Sequence, residues 1–218
     1  MPEPRVRDNS RVGIPDTAIA IIEAGRRLGA RGLIAAGEGN VSVRIAPDRI
    51  LVTVTGKRKD SLTIDDVVTA WLDAGHDEPE RAGPRPTSDL AIHRAIYLAR
   101  PDVGAIIHAH VPAAMALTLA GLAPDPADLP ETAILMPSLP VVRFAPPGSA
   151  ELAALVAAAV RPTDGQTADD APANAVLLER HGAIAVGPDL VTAGDRLELV
   201  DVLCRVHRDA ILLRAQRG

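Results

Sequence analysis

The stretch RPDVGAIIHAH, residues 100–110, ends an apolar run with two histidines placed two positions apart. On a β-strand, residues i and i+2 project from the same face, roughly 7 Å apart along the chain. Two imidazoles on one face can close on one metal ion, and imidazole suits Zn²⁺ and its first-row neighbours. An isolated pair is also a common feature of cores and surfaces, so the prediction of a metal site at His108 and His110 needs a third ligand.

His181 is the candidate for that third ligand. It also lies in a short apolar strand context, and the neighbouring Gly182 permits a close approach of two backbones. Three imidazoles with one open position are the pattern of a catalytic zinc site, whereas structural sites are closed by four protein ligands. The open position is where a substrate oxygen or a water molecule would be polarised.

The bulk composition predicts one soluble domain over residues 1–218. The chain has 218 residues, 47% of them hydrophobic, which is enough for one core. A net charge of −5 and only three aromatic residues argue against nucleic acid as a partner. The single cysteine, Cys204, excludes an internal disulfide and a cysteine-based zinc site. Because no segment reaches the roughly 18–20 apolar residues of a membrane span, we expect no membrane association and a cytoplasmic location.

Apolar periodicity predicts mixed helices and strands, and therefore an α/β or α+β domain whose sheet is covered by helices. Strands are predicted at 41–45, 50–55, 67–72, 106–110, 141–144, 175–178 and 183–186. Helices are predicted from a cap at Asp16 to Gly29, and at 87–99, 115–119, 151–160 and 189–215, the last with the apolar residues Val191, Leu197, Val200, Leu203 and Val206. The stretches 73–86, 121–131 and 161–174 are predicted to be loops because they are rich in glycine, proline or polar residues.

Three short segments predict a cradle for a phosphate group. Residues 37–40 (GEGN) lead into the first strand, residues 53–56 (TVTG) end the second, and Thr87 and Ser88 open a helix, where free backbone N–H groups favour an anion. Each segment also has an ordinary explanation, because Gly-Asn and Thr-Gly are common in turns and Thr-Ser is a common helix cap.

Asp89 is the candidate acid/base group, although a carboxylate there would also stabilise the first turn of a helix. His93 lies four residues further on, on the same helical face, where it would either support the site or have only a structural role. The basic cluster 57–59 (KRK) is predicted to be a solvated turn. Its contribution to function would be limited to raising the local electrostatic potential for an anionic substrate.

Together these segments resemble the class II aldolase/adducin family, typified by fuculose-phosphate aldolase, over about residues 15–208. The likeness rests on five motifs that occur in order and at suitable spacing. They are GNVSVR at 39–44, TVTG at 53–56, TSD at 87–89 where the aldolases carry Ser-Ser-Glu, RPD with HAH at 100–110, and RHG at 180–182.

The resemblance implies an αβα sandwich with a central, mainly antiparallel sheet, assembled as a homotetramer with the active site at a subunit interface. It implies a divalent metal, zinc above all, with manganese, cobalt and iron as alternatives. It implies that Asp89 is the acid/base carboxylate. The implied metal ligands are His108, His110 and His181, and the implied phosphate-binding residues are Asn40, Thr55, Gly56, Thr87 and Ser88.

The activity that the resemblance favours is an aldolase that cleaves a ketose 1-phosphate into dihydroxyacetone phosphate and a short aldehyde. The alternative is a sugar-phosphate 4-epimerase, dehydratase or decarboxylase on the same scaffold. A non-catalytic adducin-like module is disfavoured because all three histidines are present. Two departures stand out: Asp89 replaces the aldolase glutamate, and the expected tyrosine of the region near residue 130 is missing, with Glu131 as a substitute proton donor.

Overall fold

The structure, a computed structural model, describes residues 13–73, 75, 83–162 and 172–217. The polar N-terminus and most of the loops predicted at 73–86 and 161–174 therefore lie outside the described residues. The described chain is organised around a seven-stranded sheet. Its strands are β1 (Asn40–Ala46), β2 (Arg49–Thr53), β3 (Val67–Trp71), β4 (Ala105–Ala109), β5 (Val141–Val142), β6 (Ala175–Leu178) and β7 (Gly182–Gly187).

The strand order across the sheet is β3-β2-β1-β4-β7-β6-β5. Every neighbouring pair is antiparallel except β5 and β6, which are parallel. The predicted central, mainly antiparallel sheet is thus confirmed. The described residues also form six α-helices, which are α1 (Ile14–Ala30), α2 (Leu90–Ala99), α3 (Pro112–Leu119), α4 (Pro130–Leu135), α5 (Ala150–Val160) and α6 (Leu190–Ala215).

Helices cover both faces of the sheet, and each face has its own apolar core. Alternate strand residues point to opposite faces, so Ile107 packs on the side of α1, α3 and α6 whereas Ile106 packs on the side of α2 and α5. Few aromatic side chains are available, so both cores are built mainly from alanine, valine, leucine and isoleucine. This double cover holds the middle strands β1, β4 and β7 rigidly, and these strands lead to the histidines.

The start of α1 differs from the prediction. The helix begins at Ile14 with Gly13 at the N-cap position, and Asp16 lies in the first turn without capping it. Pro15 explains the difference, because a proline without an N–H group suits the first turn of a helix. Gly29 lies inside the helix, where a Cβ atom would come within 2.6 Å of Asp60 Cβ.

Other differences concern segments whose structure depends on distant contacts. The predicted loop 121–131 contains a 3₁₀ turn and the first residues of α4, and the predicted strand 141–144 is reduced to β5. Of the apolar residues predicted on the long helix, Leu197, Val200 and Leu203 are buried as expected, whereas Val191 and Val206 are exposed because they lie outside the buried stripe of α6. Although α6 has 26 residues, no helix in the described ranges combines the length and apolarity needed to cross a bilayer.

Candidate active site

The three predicted metal ligands lie together at one end of the central strands. His108 is on β4, His110 follows its last residue, and His181 lies in the turn between β6 and β7. The ring centroids are separated by 5.1 Å between His108 and His110, and by 4.8 Å for each of the other two pairs. One ligand atom from each residue lies within 4.8 Å of the others, close enough to share one ion.

A tight turn brings His181 to this position. Arg180 has a φ of 60° and Gly182 has a φ of 115°, so the chain reverses direction on either side of the histidine. A Cβ atom at residue 182 would lie 2.2 Å from the carbonyl oxygen of Ala109. Only glycine therefore lets the start of β7 pass so close to the end of β4.

The protonation of the histidines suits a metal. The Nδ1–H of His108 donates to the carbonyl oxygen of Ala183 at 3.0 Å, which leaves its Nε2 lone pair free. Burial, with the nearby His181 adding to it, lowers the pKa of His108 to about 3, so its ring is neutral at neutral pH. Burial and the proximity of His110 also lower the pKa of His181. His110 Nδ1 lies 3.4 Å from Glu38 Oε1.

Two buried ring nitrogens, His108 Nε2 and His181 Nδ1, have no hydrogen-bond partner among the described residues. An unpaired buried polar atom costs about 1–3 kcal/mol, so such atoms in a native site indicate a missing ligand. A divalent cation would satisfy both atoms at once. The donor set of three imidazoles fits zinc, and it also accepts manganese, cobalt or iron.

Asp89 is buried beside this centre, at the N-cap position of α2. Its Oδ2 accepts a hydrogen bond from Asn40 Nδ2 at 2.9 Å and lies 3.9 Å from His108 Nε2, while its Oδ1 is buried without a partner in the described chain. Burial alone would raise the pKa of Asp89, but His108 and the Asn40 amide outweigh it, and the pKa lies below its usual value. Asp89 is therefore an ionised carboxylate with one oxygen uncommitted.

Behind Asp89 lies a buried hydrogen-bonded series of Asn40, His93, Ser42 and Tyr97, which we call the support chain. His93 Nε2 is 2.5 Å from Asn40 Oδ1, and Ser42 Oγ is 2.7 Å from His93 Nδ1 and 2.9 Å from Tyr97 OH. Because Asn40 donates its amide to Asp89, its Oδ1 accepts from His93 Nε2–H. His93 Nδ1 then accepts from Ser42, which accepts from Tyr97. Burial lowers the pKa of His93 to about 4, in keeping with this neutral tautomer.

A cavity of about 370 Å³ opens beside these groups. It is lined by Asp89, by His110 and His181, and by all the predicted phosphate-binding residues, which are Asn40, Thr55, Gly56, Thr87 and Ser88. The structure thus gathers the predicted site residues in or directly beside one cavity. Glu131 is exposed on α4 and is not among the residues that line it.

Two contacts change the sequence-based view. Both ends of the Asn40 side chain are already bonded, to Asp89 and to His93, so this amide holds the carboxylate. The prediction that residues 57–59 form a solvated turn is wrong for Lys59, which is 1% exposed and lines the cavity. The sequence contains a signal for the burial of Lys59. Gly25 and Gly29 lie one turn apart on α1, and they mark where another segment packs closely against the helix.

Comparison with known proteins identifies the family. The family model described as "Class II Aldolase and Adducin N-terminal domain" matches residues 19–208. The chain belongs to this family. The resemblance seen in the sequence motifs is thereby confirmed, and the chain is an enzyme of the class II aldolase superfamily.

Similar proteins include dehydratases and aldolases. The chain is 31% identical over 203 residues to methylthioribulose-1-phosphate dehydratase from Acidiphilium cryptum (strain JF-5), covering 86% of this chain and 89% of the relative. It is 34% identical over 220 residues to the dehydratase of the same name from Bradyrhizobium sp. (strain BTAi1), covering 92% and 93%. Among solved structures, L-fuculose-1-phosphate aldolase from Thermus thermophilus superimposes with a TM-score of 0.72 at 28% identity, covering 90% and 95%.

Proposed function

We propose that the chain is a metal-dependent lyase that removes water from a ketose 1-phosphate of the methylthioribulose 1-phosphate type. The observation that carries this proposal is the ionised, buried Asp89 beside three clustered histidines at the wall of one cavity. The two dehydratase relatives, matched over nearly the whole chain, support dehydration. They favour the dehydratase alternative over the aldolase activity that the motifs first suggested.

The chemistry of dehydration explains why one carboxylate is needed. In a 2-ketose 1-phosphate, the hydrogen on C3 is acidic because it is next to the carbonyl group. Asp89 accepts this proton, the C3–H electron pair forms a double bond between C3 and C4, and the hydroxyl group leaves C4. The proton and the hydroxyl group together make one water molecule, and the resulting enol becomes a 2,3-diketone. The unpaired Oδ1 of Asp89 is free to take the proton, while Asn40 holds Oδ2.

His108, His110 and His181 would hold the divalent metal, zinc above all. When bound, the metal would act as a Lewis acid on the substrate carbonyl, which makes the neighbouring hydrogen more acidic. Because His108 Nδ1–H is bonded to Ala183, its ring is held in one orientation with Nε2 toward the centre of the site.

The phosphate group would lie against Thr55, Gly56, Thr87 and Ser88. Two segments of the predicted cradle, 37–40 and 53–56, lie close together. A Cβ atom added at Gly37 would be 3.5 Å from the backbone of Gly56. Gly56 has a φ of 71° and open space beside its Cα, which leaves room for a phosphate oxygen to approach the backbone.

We also expect a homotetramer with the active site at a subunit interface, as the family resemblance implies. Ile134 and Leu135 on α4 are largely exposed apolar side chains, and such residues are often covered by a partner. Light scattering coupled to size-exclusion chromatography measures the assembly directly, and a monomeric mass would contradict this expectation.

The decisive experiment offers the zinc-loaded protein methylthioribulose 1-phosphate and follows the loss of one water by mass spectrometry. We expect turnover that falls by about 10³-fold in Asp89→Asn. No water loss at full metal occupancy contradicts the proposal. The second candidate, an aldolase, is favoured by the Thermus thermophilus neighbour at 28% identity. It is tested in parallel by incubating the protein with dihydroxyacetone phosphate and lactaldehyde. An addition product would show that the protein is an aldolase, which forms and cleaves a C–C bond.

A further inference from the structure

Lys59 carries a buried ammonium group that has no acidic partner in the part of the chain that the structure describes. It is 1% exposed, and its Nζ donates to the carbonyl oxygens of Gly37 at 3.0 Å and Lys57 at 2.5 Å. No carboxylate among the described residues forms an ion pair with it within 4.0 Å. An ammonium group has three donors, so one N–H remains uncommitted by these two bonds.

This arrangement is costly unless a ligand completes it. A buried charge is strongly unfavourable when no opposite charge is close, and neutral carbonyl groups compensate only in part. Burial lowers the pKa of Lys59 in spite of the attraction of Asp66 and Asp89. The neighbouring Lys57 shows the ordinary situation, because its exposed ammonium pairs with Asp66 at 3.2 Å.

The backbone of Lys59 is held firmly against α1. A Cβ atom at Gly25 would lie 2.1 Å from the carbonyl oxygen of Lys59, and one at Gly29 would lie 2.6 Å from Asp60 Cβ. The two glycines therefore let the 3₁₀ turn Lys59–Ser61 lie directly on the helix. This packing turns the Lys59 side chain into the cavity and away from solvent.

Lys59 shares the cavity with the proposed phosphate cradle of Thr55, Gly56, Thr87 and Ser88. Of the described residues that line this cavity, it is the sole lysine or arginine, whereas Glu38 and Asp89 are acidic. A phosphate dianion entering the cavity would be repelled by these two carboxylates. Apart from a metal, the ammonium of Lys59 is the group that offsets this repulsion.

We infer that Lys59 is the specificity-determining residue that makes this site select a phosphorylated ketose over the same sugar without phosphate. Its ammonium provides the positive charge for the phosphate group, and its two carbonyl contacts hold the loops around residues 37 and 57 in place. The inference rests on the proposed function for the identity of the substrate. The anion-binding role of Lys59 can nevertheless be measured without any turnover.

The test is calorimetric titration of the zinc-loaded enzyme with inorganic phosphate, dihydroxyacetone phosphate and uncharged dihydroxyacetone. Lys59→Gln removes the charge but keeps a donor for the carbonyl groups, and Lys57→Gln is the matched control with the same charge change at an exposed position. We expect Lys59→Gln to weaken binding of both phosphate ligands by about 10- to 100-fold. Binding of dihydroxyacetone and zinc content should not change, and Lys57→Gln should stay within about twofold of the wild type.

Three results would overturn the inference: no phosphate binding by the wild type, an equal loss in Lys57→Gln, or an equal loss for dihydroxyacetone. If Lys59→Gln does not fold, ¹⁵N NMR of the wild type still tests whether Lys59 binds phosphate. The Nζ resonance of Lys59, assigned by its absence in Lys59→Arg, must shift when inorganic phosphate is added, and a resonance that does not move rejects the role. A chain that binds phosphate through Lys59 but does not dehydrate a ketose phosphate would contradict the proposed function alone.

Discussion

The two sides of Asp89 differ in how completely their polar atoms are paired. On one side, the histidine centre has two buried ring nitrogens, His108 Nε2 and His181 Nδ1, without partners among the described residues. On the other side, the support chain of Asn40, His93, Ser42 and Tyr97 has a bonded partner for every polar side-chain atom. The two oxygens of the Asp89 carboxylate differ in the same way, since Oδ2 accepts a hydrogen bond from Asn40 and Oδ1 has no partner among the described residues.

This difference separates the groups that act from the groups that position. Unpaired buried atoms are energetically unfavourable, so a site keeps them where a ligand will bind. Buried atoms that already have a partner are held in place by that bond, and they fix the geometry of their neighbours. We therefore expect substitutions on the histidine side to remove the metal and the activity, and substitutions in the support chain to have smaller, graded effects.

The largest effect is expected for His108→Ala. Loss of one of three ligands should release the metal and lower turnover by about 10⁴-fold, because the Lewis acid supplies several kcal/mol of stabilisation in the transition state. Metal analysis by mass spectrometry and a turnover assay measure the two losses. The matched control is His207→Ala, since His207 is bonded to Asp128 away from the site. Retention of one metal per chain in His108→Ala would contradict the proposed centre.

The second-largest effect is expected for Asp89→Asn, because Asp89 lies between the histidine centre and the support chain. The amide keeps the shape and can still bond to Asn40, but it cannot accept a proton from carbon. Turnover should fall by about 10³-fold while metal content stays at the wild-type level. Loss of the metal would instead make Asp89 part of the coordination, and unchanged turnover would remove it from the reaction.

The same comparison explains what the sequence reveals. The residues of the histidine centre can be found from local motifs, since His108 and His110 are two residues apart on a strand and His181 stands next to Gly182, although the pairing of β4 with β7 brings the two motifs together. Ranges of alternating or apolar residues likewise predicted the middle strands and the long helices. These features depend on near neighbours in the chain, and short motifs are enough to find them.

The rest depends on contacts between distant segments. The burial of Lys59 follows from its packing against Gly25 and Gly29, thirty residues or more earlier in the chain. The parallel pairing of β5 with β6, and the short helix α4 in a predicted loop, also depend on partners that no local pattern specifies. The bonds of Asn40 to Asp89 and His93 join residues about fifty positions apart, so no local motif predicts this positioning role in addition to phosphate binding.

His93→Gln should show a moderate effect that depends on pH. The folded protein holds the pKa of His93 at about 4, below its unfolded value near 6.5, so the unfolded chain binds the extra proton between these values. The stabilisation is therefore complete above about pH 6.5 and is lost as the pH falls toward 4. Between pH 7 and pH 5 the wild type should lose about 2 kcal/mol from this group, which the variant, whose side chain does not titrate, should keep.

Urea unfolding of both metal-free proteins at the two pH values measures the difference. His108 and His181 titrate in both proteins, so their contribution cancels in the comparison. Equal losses in the wild type and in His93→Gln would mean that His93 is not held neutral. A protonated His93 would donate from Nδ1 to Ser42, so the direction of the Ser42 and Tyr97 bonds would be reversed while Asn40 Oδ1 still accepts from Nε2–H.

The smallest effect is expected at the far end of the support chain. Tyr97→Phe removes the hydroxyl group that donates to Ser42 but keeps the ring, which lies 4.7 Å from the guanidinium carbon of Arg44. Because Ser42 keeps its bond to His93, the loss should be about 1 kcal/mol of unfolding free energy, with turnover reduced less than about threefold. Ser42→Ala is the matched comparison, since it breaks the series in the middle and leaves His93 Nδ1 without a donor. If Tyr97→Phe lowers turnover as much as Ser42→Ala while both keep the metal, positioning of Asp89 extends over the whole support chain.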